Sequence, residues 1–324
     1  MSQKVYWGII GLGKIAHKFA ADLQYSEVAV LHAVASRSIE KATDFAKTYQ
    51  VSKAYHSYED LVNDPKIDVV YIATPHTLHF ENSMLCLQHH KSVLCEKPLG
   101  INSTQVQTII QEARVRKLFL MEAIWTRFMP AIEKMISLLD AKAIGDIISV
   151  QADFGFQSEF NTESRLYNKK LGGGSLLDIG LYPIFLSLLV LGIPSDVKAM
   201  ARMTKTDVDS FCAMLFDYEN NAKAILTSTL EANTPTEAYL YGTKGSIKLH
   251  RRFHQPSTIT VSQNGKETIY ELPFSGNGYI HEIEEVNSCI LHKQHESTKL
   301  PLHLSEKLMA IIERVKSKIG LQYE

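Results

Sequence analysis

Cysteine is scarce in this chain of 324 residues: Cys86, Cys95, Cys212 and Cys289 lie far apart, with no Cys-x-x-Cys pair. That spacing offers neither a disulfide framework nor a thiolate metal site, and it suits free thiols in a reducing compartment. An excess of one charge is also lacking. The 34 Lys and Arg balance 35 Asp and Glu, for a net charge of −1, so nothing marks the protein for nucleic acid or an acidic membrane. The longest apolar run, "GLYPIFLSLLVLGI" at 180–193, is too short to span a bilayer and carries Pro183 and Ser187. The chain passes directly into strand-like "VYWGIIGLG", so no export leader is expected and a cytoplasmic location is. Internal repeats and low-complexity tracts are missing as well.

What is present is the composition of a soluble globular protein, 45% apolar and 21% charged, and a length that suits two domains. Over roughly the first 120 residues, short β-rich runs alternate with helical patterns: "KVYWGIIG" then "KIAHKFAADLQ", and "IDVVYIATP" then "HFENSMLCLQHH". This rhythm predicts an α/β fold, a parallel sheet with crossover helices. Ser38, and Asn102 or Ser103, read as helix caps. Further on, strands follow one another, from "DVKAMARMT" to "STITVSQ", with Asn220-Asn221 and Asn264-Gly265 as hairpin turns. Two helices, near 279–294 and 303–319, finish the chain. The expected division is a Rossmann dinucleotide-binding domain over 1–122 and an α+β domain with a mostly antiparallel sheet over 123–324.

"GIIGLGKIA" at 8–16 contains Gly11-x-Gly13-x-x-Ala16 between a strand and a helix, the context the dinucleotide fingerprint requires. Gly11 serves the tight turn and Gly13 lets backbone approach a pyrophosphate at the helix start, beside Lys14 and Ile15. Ala16 allows the helix to lie close on the sheet. At the end of the second strand an NAD site usually has an acid for the ribose hydroxyls. Here Ser36 and Arg37 stand there, which puts NADP ahead of NAD.

In an open α/β sheet, ligands sit beyond the carboxyl ends of the strands. Thr74, Pro75 and His76 occupy that position, as do Glu96 and Lys97 in "VLCEKPLG" at 93–100. A lysine there can hydrogen-bond a substrate hydroxyl or support an acid–base group. With "LFLMEAIWTRFMP" (118–130) and "GGGSLLDIGLYPI" (172–184), this segment makes the chain resemble the Gfo/Idh/MocA oxidoreductases, and within them the dihydrodiol dehydrogenase branch. The resemblance covers essentially the whole chain. It implies a Rossmann domain followed by a large, mostly antiparallel open sheet, with subunits pairing as homodimers through that sheet's open face.

The resemblance also implies roles. Lys97, Asp178 and Tyr182 match the catalytic positions, Tyr182 standing where much of the family has histidine. Asp178 and Tyr182 lie four apart on a predicted helix and so share a face. A phenol titrates near ~10, and a nearby ammonium would help it exchange a proton near neutrality. Asp178 would orient Lys97 or bind a substrate hydroxyl. The structural alternative is a capping box at Ser175-x-x-Asp178 and a core tyrosine at Tyr182. Trp125 and Arg127 match the strip beside the nicotinamide, and His76 and His79 the cofactor loop. Trp125, Phe154, Phe156 and Tyr167 are candidate walls of the substrate pocket. No metal is expected.

The reading is an NAD(P)-dependent oxidoreductase acting on the secondary alcohol or carbonyl of a sugar, polyol or cyclic trans-diol. Its alternatives are an inositol or pyranose dehydrogenase of the same family, or a regulator that binds cofactor without chemistry.

Overall fold

The computed structural model describes residues 3–323 and divides into two compact units, Met1–Trp125 with Ser275–Glu306, and Thr126–Phe274 with Lys307–Glu324. The expected cut at 122/123 falls three residues before the first break, at 125/126. A single cut does not describe the chain, because the segment 275–306 belongs to the first unit.

In the first unit a six-stranded sheet is built from β1 (Val5–Ile10), β2 (Ala29–Ala35), β3 (Lys53–Tyr55), β4 (Val69–Ile72), β5 (Ser92–Glu96) and β6 (Leu120–Ala123). Its order is β3-β2-β1-β4-β5-β6 and its pairs are parallel. Chain order reverses at β1, so the carboxyl ends of β1 and β4 flank the crevice where such folds hold ligands. The residues of β4 and β6 are all buried, as in parallel sheets covered on both faces. The connecting helices are α1 (Lys14–Leu23), α2 (Ile39–Tyr49), α3 (Tyr58–Val62), α4 (His79–Gln88) and α5 (Ser103–Arg116). Ser38 caps α2 by accepting from the Lys41 N–H, and Asn102, rather than Ser103, caps α5 through the Gln105 N–H.

The second unit begins with α6 (Pro130–Asp140) and carries an eight-stranded sheet around β7 (Ile147–Gly155). A π-helical turn, Leu176–Gly180, leads into α7 (Leu181–Leu191). The remaining strands are β8 (Asp196–Met203), β9 (Asp209–Asp217), β10 (Lys223–Thr229), β11 (Ala238–Gly242), β12 (Gly245–Leu249), β13 (Thr258–Gln263) and β14 (Lys266–Glu271). Their order is β14-β13-β12-β11-β7-β10-β9-β8, antiparallel except for the β7–β10 pair. Strand β14 is mostly exposed and polar, so no apolar alternation announced it. Its hairpin with β13 turns at Asn264 and Gly265, both left-handed.

The stretch Lys169–Leu191 is longer than the apolar run suggested, and long and apolar enough to cross a membrane by composition, but 83% of that window is buried inside the protein. Leu181 to Leu188 are all buried, and α7 packs on β7 and β10, which makes it a core helix. The opposite face of the sheet stays open.

After the second unit's sheet come α8 (Ile280–Leu291) and α9 (Leu302–Ile319). The returning segment is tied into the first unit by polar bonds. Trp7 donates its indole N–H to Asn287 at 3.0 Å, and the Asp22 carboxylate accepts the backbone N–H groups of Asn277 and Tyr279.

Candidate active site

The first unit carries a backbone-lined candidate cofactor site. Gly11 has φ +85°, and a Cβ there would lie 2.6–2.7 Å from backbone atoms of Ala73 and Thr74, so only glycine fits the turn against the end of β4. A Cβ on Gly13 would meet nothing within 4 Å. Gly13 is also the N-cap of α1, with no side-chain cap and no acidic residue in the first turn. Open space before uncapped amides at a helix N-terminus suits a pyrophosphate. Ala16 is fully buried beneath, whereas Lys14 is exposed and Ile15 half-buried.

At the end of β2, Arg37 is exposed and Ser36 accepts the Ser38 N–H. Beyond β4, Thr74 accepts from Asn82 through its hydroxyl, Pro75 opens the next turn, and His76 is buried with its ring 5.8 Å from that of His79. Fully buried His79 bridges two loops, Nδ1 to the Pro98 carbonyl at 2.7 Å and Nε2 to the Thr74 carbonyl at 2.9 Å. Carbonyls only accept, so both bonds form only when the ring carries two protons.

Near the end of β5, where Glu96 and Lys97 are half-buried, acidic groups gather. Tyr71 donates its hydroxyl to Glu96, and burial first, then the Glu96 charge, pushes that phenol well above its ordinary range. Glu122 is 3% exposed, accepts the Leu99 N–H at 2.9 Å, and is raised to about 7, chiefly by burial. Glu282 of α8 is fully buried with neither carboxyl oxygen hydrogen-bonded, and burial, then Glu96, pushes it well upward. Burial thus favours its neutral form. Trp125 is buried and stacked on Tyr279, ring centroids 4.5 Å apart.

The second unit presents the other chemical groups. Asp178 lies within the π-helical turn, not in an α-helix as expected, while Tyr182 is in the first turn of α7. Such turns recur at functional sites because they reset which side chains share a face. Asp178 is held bidentately by Arg165, at 2.9 and 3.2 Å. Sequence reasoning missed Arg165, since nothing in an irregular loop marks a partner thirteen residues on. The capping box that was the structural alternative for Ser175 does not form. Its hydroxyl donates to buried Asp209, which also accepts the Leu176 N–H. Asp209 therefore supplies the cap from β9.

Tyr182 packs against Phe154, at 5.7 Å, and His254, at 5.3 Å, and Phe154 stacks on His254 at 4.3 Å. His254 is a second residue with no local pattern to mark it. Phe156 is half-buried against a small core of Tyr167, Ile179 and Leu230. The Tyr167 hydroxyl is used on the carbonyls of Ser158 and Leu230, so this residue packs the unit rather than offering a polar group to a ligand. Arg127 pairs with Glu133 at 2.9 Å.

Comparison with known proteins places these features. Residues 5–123 match the model of the oxidoreductase family with an NAD-binding Rossmann fold, GFO_IDH_MocA, and 132–248 match the GFO/IDH/MocA C-terminal domain. The chain belongs to the Gfo/Idh/MocA oxidoreductases. Among relatives of this Gfo/Idh/MocA protein, trans-1,2-dihydrobenzene-1,2-diol dehydrogenase of Xenopus tropicalis is 39% identical over 98% of both chains. The human enzyme of that name is 37% identical over 98% of this chain and 97% of its own. A 3-ketoreductase from Actinomadura kijaniata, solved with NADP and TDP-benzene, superposes with a TM-score of 0.87 at 26% identity, covering 98% of each chain. The expected fold class and family, and an NAD(P) cofactor for a dehydrogenase or reductase, are borne out.

Proposed function

We propose that this oxidoreductase interconverts a secondary alcohol and its carbonyl on a cyclic trans-diol, polyol or sugar, with NADP preferred. The observation that carries the reading is likeness over 98% of the chain to dehydrogenases named for a cyclic trans-diol. The uncapped α1 terminus at Gly13 would hold the pyrophosphate. Exposed Arg37, with no acid beside it in "AVASRS", favours a 2′-phosphate. When bound, the cofactor gives or takes the hydride. Tyr182 is assigned the proton at the alcohol oxygen, Lys97 the role of the cationic catalytic group, and Asp178 that of acceptor for a neighbouring hydroxyl. Thr74, His76, His79 and Glu96 shape the nicotinamide end of the site, and Trp125 and Phe154 offer ring faces to an alicyclic substrate.

The test is steady-state turnover on a panel of trans-diols, inositols, pyranoses and diketones, with NADPH and NADH compared. Tyr182→Phe and Lys97→Ala are expected to lose about 10²–10⁴-fold in kcat while still quenching on NADPH binding. Rates close to the parent's in either variant remove the assignment.

Self-association belongs to the same proposal. Met200, Leu215, Ile225, Tyr241 and Ile269 fall on one face of the second sheet by register and are exposed, Met200 by 79%. A second copy would cover them, and Ile225→Lys is expected to shift sedimentation from dimer to monomer. The cytoplasm is the proposed location, supported by four buried free thiols and testable by cell fractionation.

A further inference from the structure

Glu122 stands out among the buried charged groups of the first unit. It lies on β6 between Met121 and Ala123, all buried. It pairs in register with Cys95, one strand position before Glu96 and two before Lys97. Its Oε1 accepts the N–H of Leu99, two residues past the lysine. An amide or a backbone carbonyl could satisfy that N–H without bringing a carboxyl out of water. The charged and polar groups facing it are Lys97, Glu96 and Cys95 from the β5 end, and Ser305 from α9.

We propose that Glu122 is the positioning residue for Lys97, clamping the turn that carries the lysine and supplying the negative charge that balances its ammonium. The proposal rests on the catalytic reading of Lys97. Burial raises the Glu122 carboxyl to about 7, while its bonds to Ser305 and Leu99 and the Lys97 charge pull it back. Its charge therefore changes within the neutral range. Below that range the clamp is a neutral acid and the lysine loses its counter-charge. Above it the carboxylate is complete. Turnover should accordingly fall as pH drops through neutrality, for a reason located in Glu122 and not in the substrate.

The experiment compares the full-length parent with Glu122→Gln, which keeps an acceptor for the Leu99 N–H and removes the charge. Lysines are reductively ¹³C-methylated, and the Lys97 resonance is assigned by its loss in Lys97→Ala and followed from pH 5 to 9. The expected parent signal has an inflection near neutrality that Glu122→Gln lacks. In parallel, the kcat profile of the parent should show an acid limb near pH 7. Glu122→Gln should lose that limb and turn over roughly tenfold or more slower at pH 8, with NADPH affinity by fluorescence within about threefold of the parent's, a change of about 0.65 kcal/mol. A Lys97 resonance with no neutral inflection, or identical in the two proteins, overturns the proposal. So does an acid limb retained in Glu122→Gln. Full activity in Lys97→Ala would instead remove the catalytic reading of the lysine, and the resonance would still decide whether Glu122 governs its charge.

Discussion

Near the end of β5 the protein buries carboxyls that desolvation pushes upward, whereas Asp178 has a guanidinium paired directly with it. Glu282 has no hydrogen-bond partner and Glu122 one backbone N–H and a serine, and both are pushed upward by burial. Asp178, equally enclosed, has a guanidinium across both oxygens. The contrast teaches what each site is built to do. A titrating acid can switch the negative charge beside a neighbouring lysine on and off. A carboxylate locked in an ion pair is instead a fixed acceptor, suited to orienting hydroxyls. Desolvation decides the first case and Coulomb attraction the second.

The comparison can be broken most sharply at the glycine turn. Gly11→Ala forces a side chain into left-handed backbone and against Ala73, and is expected to lower unfolding free energy by about 3 kcal/mol or more in urea titration. Gly13→Ala has open space around it and should cost only about 1 kcal/mol, the loss of a good N-cap residue, yet weaken NADPH binding. Equal stability losses would mean that the turn is not built as described.

Glu122→Gln comes next, with the sign fixed by linkage. The carboxyl is raised from an ordinary 4.5 to about 7 in the folded protein, so the parent loses stability as pH climbs between those values and the loss is complete above them. Glutamine does not titrate. Its advantage should be near zero at about pH 4 and grow to about 3 kcal/mol by pH 8. A difference that does not change with pH would show that burial does not control this group.

Arg165→Met probes the other site. The Arg165 side chain is 43% exposed, so screening limits the pair, and a loss of about 1–2 kcal/mol is expected at pH 7 in urea unfolding. The smallest effect concerns the helix that starts just after Arg37. Ser38→Ala removes the cap of α2 and should cost about 1 kcal/mol in thermal or urea unfolding.

Much of this was legible in the sequence because the first unit follows strong local rules. Its parallel strands are apolar runs, its glycine turn has one steric explanation, and Glu96-Lys97 sits where a strand must end. The dinucleotide reading needed nothing more. Other features depend on tertiary partners. Arg165 lies in an irregular loop, Asp209 caps a helix from a distant strand, and Glu122 looks like the polar end of a strand until its Leu99 bond is seen. The π-helical turn at Asp178 has the same apolar pattern as the helix it interrupts. Helix α8 gave its own amphipathic signal, but no local pattern says which sheet a helix will join.

That last point has a consequence for synthesis. The polypeptide passes between units after Trp125, Phe274 and Glu306, so the nucleotide-binding unit lacks its final pieces while nearly all the rest is being translated. Until the ribosome delivers Asn277 and Asn287, the Asp22 carboxylate and the Trp7 indole lack their native partners. A nascent chain arrested at residue 125 should therefore resist protease less well than one released in full, and chaperone dependence should concentrate in that interval.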